Sequence, residues 1–392
     1  MSGIYDRFRN NPHDYYYGAL QRETSELLCN PTKETAERFI REYFKNGAKG
    51  KVFDLQFGDQ YIKAGKHLHT VSLYLLGVSL RRFVENHIKQ HFEIRIPDYN
   101  RWEDFLYTWF LTALYHDAGS VIENDVLPVE SCEHFKTLEH HLGKHGIKHD
   151  VYHCLQSLIG NRVTYRNQEH SERIRDCFTF SEALIRNYFF YRADSMNTVD
   201  HGILAGYLMF DRLIKNYDQA WEEACHEGEP VRYDKFTYKN LSWRIGHQIH
   251  FACIANSIIA HNVWYGLGKD EDRYRIYGLD TIISSTAPKI RINQWPLVYF
   301  LDVLDTIEPV KRFTKLKPLE IWNALDISAN EDAITITIIG DTLKGNEDYL
   351  KWISGIYSMP NWLAIRIDPA DREQITDSIT LTPVLEDNNG RT

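Results

Sequence analysis

The chain has 392 residues, of which 43% are hydrophobic and 25% charged, with a formal net charge of −9. Length and composition of this kind exclude a disordered or low-complexity chain and allow one large domain plus a smaller one. The acidic balance argues against a protein that coats nucleic acid, while leaving room for a local basic pocket.

Aromatic residues are abundant, with 24 Tyr, 19 Phe and 9 Trp, which favours well-packed helices. The cysteines Cys29, Cys132, Cys154, Cys177, Cys225 and Cys253 form no C-x-x-C pair. Their scatter points to reduced thiols and a cytoplasmic protein. "MSGIYDRFRNNPHDYYYGAL" holds no apolar signal segment, and no apolar run is long enough to span a membrane.

In chain order, "NPTKETAERFIREYFKNG" (residues 30–47) reads as a helix with Pro near its first turn and Gly at its stop. "YIKAGKHLHTVSLYLLGVSLRRFVENHIKQHF" (61–92) reads as one long helix. His67 and His69, two apart, point to nearly opposite sides of it and cannot play the same part. Leu73, Leu76, Leu80 and Phe83 follow His69 at 4, 7, 11 and 14 residues, so His69 faces inward. Taken alone, it reads as a core histidine bonded to a carbonyl.

Residues 101–116 form an apolar helix that runs into "LYHDAGSVIE" (114–123). His116 and Asp117 either close that helix into a turn toward Gly119 or act as adjacent metal ligands completed from elsewhere. Residues 134–160 read as two short helices broken near Gly143 and Gly146. Helical periodicity continues through 180–192, 200–216, 240–265 and 296–308, with no long alternating pattern between. Asp200 suits a helix cap, which leaves His201 unexplained. His250 and His261 share a helix face about 16 Å apart along the axis, so both cannot bind one metal centre. Asp302 and Asp305 sit in an apolar helix, where a buried carboxylate costs several kcal/mol unless a cation or metal pairs with it. Lys311 or Arg312 is the plainer partner.

The pattern changes after "KRFTKLKPLEIW". "DAITITIIGD" alternates like a strand, "NEDYLKWISGIY" is helix-like, and "WLAIRID" and "DSITLTPVL" read as strands. The expected fold is mainly α, a helical bundle followed by a small C-terminal α+β unit.

Buried helices that each present imidazole or carboxylate suit borderline divalent metals such as Mn, Fe, Co, Ni or Zn. The ordered set resembles the HD-domain superfamily of metal-dependent phosphohydrolases. "HTVSLYLLG" is similar to that family's first-histidine helix and "YHDAG" to its signature doublet. "DHGILAGYL" resembles the extra histidine helix of its larger branches, and "FLDVLDTIEPVKR" the closing aspartate helix. The resemblance covers roughly residues 60–315 and divides the chain into an N-terminal helical extension (1–59), an HD-type domain (60–316) and the α+β unit (317–392).

The resemblance implies His69, His116, Asp117 and Asp302 as metal ligands, with His201 and His261 completing a second position. It implies one or two divalent ions, Mg included, and a water-activating role for them. Asp117, His201 and His250 are the expected catalytic residues, His250 as a general acid. Lys66, Arg81, Arg162, Arg166, Arg192 and Arg312 are candidate phosphate partners. The function implied is hydrolysis of a nucleotide or related phosphoester, in a cytoplasmic protein with no membrane partner; homo-oligomerisation stays open. Two other functions remain open: a nucleotide-sensing or signalling module with little catalysis, and a metal-dependent nuclease, which the acidic balance disfavours.

Overall fold

In the computed structural model, the residues described are 67–95, 105–121, 123, 137–153, 182–232, 235–238, 241–264, 266, 270–283, 289–374 and 377–385. The helix expected over 30–47 and the start of the one expected over 61–92 lie outside them. The described chain is mainly helical and ends in a small antiparallel sheet. None of its helices is long and apolar enough to cross a membrane.

The first described helix, α1, spans His67–Ser79 and is followed by α2, Glu85–Arg95. The expected single long helix therefore breaks, through a 3-10 turn at Arg81–Phe83. Leu80, Phe83 and Val84 are all buried at the break. The change of direction lays Phe83 against Tyr299 and Phe300, with ring centroids 6.4 Å apart in both pairs. Burial of that aromatic contact outweighs continuation of the helix.

Helix α3 (Phe105–Tyr115) packs against α1. There Trp109 lies over Gly77, where a Cβ would come 2.1 Å from the indole nitrogen, and its Nε1 donates to the Tyr74 carbonyl at 3.1 Å. Helix α4 (Leu138–Lys144) ends before Gly146, whose φ of +69° suits glycine. Helix α5 covers Glu182–Met196. Helix α6 runs from His201 to His226, ten residues beyond the expected stop at 216. Asp200 caps it, its Oδ1 accepting from Gly202 N at 2.8 Å and Ile203 N at 3.4 Å.

A hairpin of β1 (Lys235–Tyr238) and β2 (Leu241–Arg244) then interrupts the helices. Strands of four residues each are too short for alternation to stand out in the sequence. Helix α7 (Ile245–Ala260) lies along α6 and also touches α3 and the later α10. Short helices α8 (Glu271–Ile276) and α9 (Asp280–Ile283) lead to α10, Pro296–Ile307. Helix α10 packs against α1, α2 and α7 and is buried along nearly its whole length.

The C-terminal part begins with α11 (Pro318–Asn323) and continues through β3 (Leu325–Ala329), β4 (Ile334–Ile338), α12 (Tyr349–Ser358), β5 (Ile365–Asp368) and β6 (Ser378–Pro383). The sheet order is β3-β4-β6-β5, antiparallel throughout. Strand β3, "LDISA", has no marked alternation and was not expected from the sequence. Ile334, Ile336 and Ile338 are buried between half-exposed threonines, the period of two expected of a sheet with one covered face. Helix α12 packs on α10, where Trp352 Nε1 donates to the Ile307 carbonyl at 3.2 Å. One hydrophobic cluster runs from Leu73 to Leu381, so bundle and sheet share a core.

Candidate metal centre

The His116–Asp117 doublet sits where α3 ends. His116 N still accepts a helical position, donating to Thr112 O at 3.0 Å, and Ser120 N then donates to Asp117 O at 3.0 Å to close a 3-10 turn over Ala118–Val121. That turn lies against the start of α6. A Cβ on Gly119 would come 2.1 Å from the His201 carbonyl oxygen, so the approach requires glycine. The turn delivers Asp117 to His201, with Oδ1 3.0 Å from Nε2.

Among the described residues, two groups bring possible ligand atoms within 4.8 Å of one another: His69, His116 and Asp305, and Asp117, His201 and His261. In the first, His69 Nε2 is 3.1 Å from His116 Nε2 and 3.0 Å from Asp305 Oδ1, and His116 Nε2 is 3.8 Å from the same oxygen. Donor atoms bound to one divalent ion at ~2.1 Å lie roughly 3.0–3.4 Å apart. These spacings fit. Asp117 spans the groups: its Oδ2 is 3.7 Å from His116 Nε2 and 3.8 Å from His69 Nε2, while its Oδ1 faces His201.

The histidines are held in the orientation a metal ligand needs. His116 Nδ1 lies 2.9 Å from the Ala113 carbonyl, His261 Nδ1 2.6 Å from the Ile258 carbonyl, and His69 Nδ1 2.7 Å from Glu308 Oε2. An Nδ1–H donated to each acceptor leaves the Nε2 lone pair for an ion. His201 is less constrained, with Nδ1 3.7 Å from Glu123 Oε1 and Nε2 2.9 Å from Asn262 Nδ2. Gly202 lets His261 approach, since a Cβ there would lie 2.9 Å from the imidazole.

Burial and charge set the protonation. Burial pushes His116 down to about 3, with Asp117 opposing. Burial and the neighbouring His201 hold His261 below its ordinary value. Burial acts against a charged His201 as well, but hydrogen bonds to Asp117 and Glu123 raise it to about 10. His69 is raised too: burial and Lys311 oppose its protonation, and Glu308 and Asp305 outweigh them. Burial would lift Asp305, yet Lys311, which forms an ion pair with it, and His69 hold it well below the usual carboxylate range.

Five residues expected as ligands, His69, His116, Asp117, His201 and His261, come together; Asp302 does not join them. It lies one turn before Asp305 on α10, and neither of its oxygens meets a hydrogen-bond partner among the described residues. Burial, then the Asp305 charge, pushes its carboxyl well above the ordinary value. The two aspartates could not be separated by periodicity, because every residue from Pro296 to Leu304 is buried. Asp305 and Glu308, three apart at the polar end of the helix, were the available signal.

His250 is fully buried away from this cluster, its Nε2 3.0 Å from Thr108 Oγ1 and its ring edge-on to Phe92 at 4.7 Å. That position corrects the expectation that it serves as a general acid. Of the candidate phosphate partners, Arg192 is buried and tied to Glu123 and Asp200 at 3.3 and 3.8 Å, and Arg81 pairs with Glu85 at 3.7 Å. Arg312 is half-buried in the turn after α10, its N donating to Pro309 O at 2.8 Å. Lys66, Arg162 and Arg166 lie outside the described residues, as does the side chain of His67. The least covered side chains of the cluster are Lys311 at 24%, Asp305 at 22%, Glu123 at 21% and His201 at 20% exposure, which marks the side open to solvent. Comparison with family models, curated proteins and solved structures finds no match.

Proposed function

We propose that the chain is an HD-type metal-dependent phosphohydrolase acting on a nucleotide or related phosphoester. The observation that carries this reading is the convergence of four imidazoles and two carboxylates in two groups joined by Asp117, with three Nδ1 atoms already committed to acceptors. His69, His116 and Asp305 would hold one divalent ion, and Asp117, His201 and His261 a second, with Asp117 between them. When bound, such ions polarise a phosphoryl oxygen and bring the pKa of water toward neutrality.

The chain's own groups divide the remaining work. Asp117 and Asp305 supply the negative charge that favours a cation over a proton at the centre. Lys311, on the open side beside Asp305, is placed to meet an anionic oxygen of a substrate. His201, also on that side, turns Nε2 toward Asp117 Oδ1 at 3.0 Å, the side on which it would meet the second ion. Burial of His69 and His116 excludes water from the rear of the site.

The test is elemental analysis of the purified chain, followed by a panel of nucleotides and simple phosphoesters assayed with Mn, Fe, Co, Ni, Zn or Mg. Bound metal with phosphate release that Asp117→Ala abolishes is expected. A wild-type chain that takes up none of these ions overturns the reading; metal uptake with no release across the panel removes the hydrolase part.

A further inference from the structure

Glu308 is completely buried just beyond the C-terminal end of α10, and its carboxylate receives four hydrogen bonds. Ser72 Oγ donates to Oε1 at 2.5 Å and Val310 N to the same oxygen at 2.8 Å. His69 Nδ1 lies 2.7 Å from Oε2, and Lys311 N donates to that oxygen at 3.2 Å. Ser72 and His69 lie on successive positions of one face of α1, three apart, so the carboxylate clamps that face to the turn after α10. A buried carboxylate is costly unless its lone pairs are satisfied, and here both oxygens are engaged twice.

We infer that Glu308 is a positioning residue for the metal centre, acting through His69: it fixes the Nδ1–H form of that imidazole and so reserves Nε2 for the ion. The inference rests on the metal reading above and adds to it a residue outside the ligand set. A plainer role for Glu308, closing the 308–311 turn, uses only the bonds from Val310 and Lys311. The bond to His69 is superfluous to that role. It is also the one with a chemical consequence, because an imidazole bonded in this way to a carboxylate is a more basic and better-aimed ligand.

Replacement by glutamine separates the two roles. With its oxygen in the place of Oε1, Gln keeps the bonds from Ser72 and Val310 but turns an NH2 toward His69 Nδ1. The imidazole must then accept there and carry its proton on Nε2, which blocks ligation. With the amide reversed, His69 is satisfied but two donors face each other at Val310 N. Neither arrangement reproduces the wild type.

The experiment is a Zn2+ titration of wild type and Glu308→Gln, with 15N imidazole NMR on the Zn2+-loaded wild type. Loss of affinity for one ion by 10- to 100-fold, with the other unchanged, is the expected result, on the scale of outer-shell substitutions. The NMR is expected to show a far-downfield proton on His69 Nδ1, a signature of the bond to carboxylate that a turn-closing role does not produce. Equal titrations for the two proteins overturn the inference while leaving the metal reading intact; a wild type that binds neither Zn2+ nor any other ion of the series above overturns both. Should Glu308→Gln fail to fold, the wild-type spectrum decides alone, and a His69 that carries no Nδ1 proton overturns the proposal.

Discussion

Asp305 Oδ1 stands 3.0 Å from His69 Nε2, joining the last helix of the bundle to the first one described. Asp302, one turn earlier, reaches neither histidine of that group. Asp305→Asn is therefore expected to empty the first metal position, and Asp302→Asn to leave metal content unchanged. Elemental analysis of both purified variants checks this, and the reverse pattern would restore Asp302 to the ligand set.

The same Asp302 makes a prediction about pH. Burial, reinforced by Asp305, holds its carboxyl well above the usual range, so the folded chain keeps the proton that the unfolded chain loses. The stability owed to that neutral form is complete below the unfolded-state pKa and is lost as pH rises toward the folded one. Asparagine does not ionise. Asp302→Asn should therefore gain in Tm over wild type between pH 5 and pH 8, by an increment that grows with pH; a difference independent of pH would refute it.

His250 and His261 share a helix but not a task. His261→Ala should lower occupancy of the second metal position. His250→Ala should spare the metal and cost about 1–3 kcal/mol through the hydroxyl left unsatisfied at Thr108. Metal titration and chemical denaturation of the two variants separate these effects, and loss of metal from His250→Ala would contradict the geometry.

Gly119→Ala tests how the doublet reaches α6. The added methyl would meet the His201 carbonyl at 2.1 Å, so the turn and the helix must part. The expected cost is about 1–3 kcal/mol, the scale of overpacking. Metal should be lost mainly from the position that His201 serves. Full occupancy at both positions would show that the turn yields without moving Asp117.

Away from the centre, His149 bridges Asp211 at 2.9 Å and Asp218 at 3.2 Å. Hydrogen bonds to the two carboxylates raise its pKa to about 9. Burial would lift Asp211, but His149, Lys215 and two backbone N–H groups bring it to about 2. The His149 contribution is complete below its unfolded pKa near 6.5 and disappears as pH rises through about 9; that of Asp211 is complete above the carboxylate range and fades toward about 2. His149→Ala should thus lower stability at pH 6 by roughly 1 kcal/mol, as for a partly exposed pair, and by less at pH 10. Denaturant melts at the two pH values provide the check.

Helical period, cap chemistry and the strand alternation of the C-terminal segment were legible in the sequence because each depends on neighbours within a few residues. Asp200 announced the start of α6, the leucines after His69 announced its inward face, and "ITITI" announced β4. All six clustered residues stand out as polar groups in or beside apolar helices, though Asp302 was expected in the place that Asp305 takes. What tertiary structure alone decided was which polar group meets which. That Asp305 rather than Asp302 faces His69 was hidden because every residue of α10 from Pro296 to Leu304 is buried, so neither periodicity nor hydrophobicity distinguishes its faces there. Glu308 reaches His69 across 239 residues, and the break at Leu80 exists for contacts with Tyr299 and Phe300. Such pairings are fixed by packing between distant elements, a free energy that no local stretch of sequence contains.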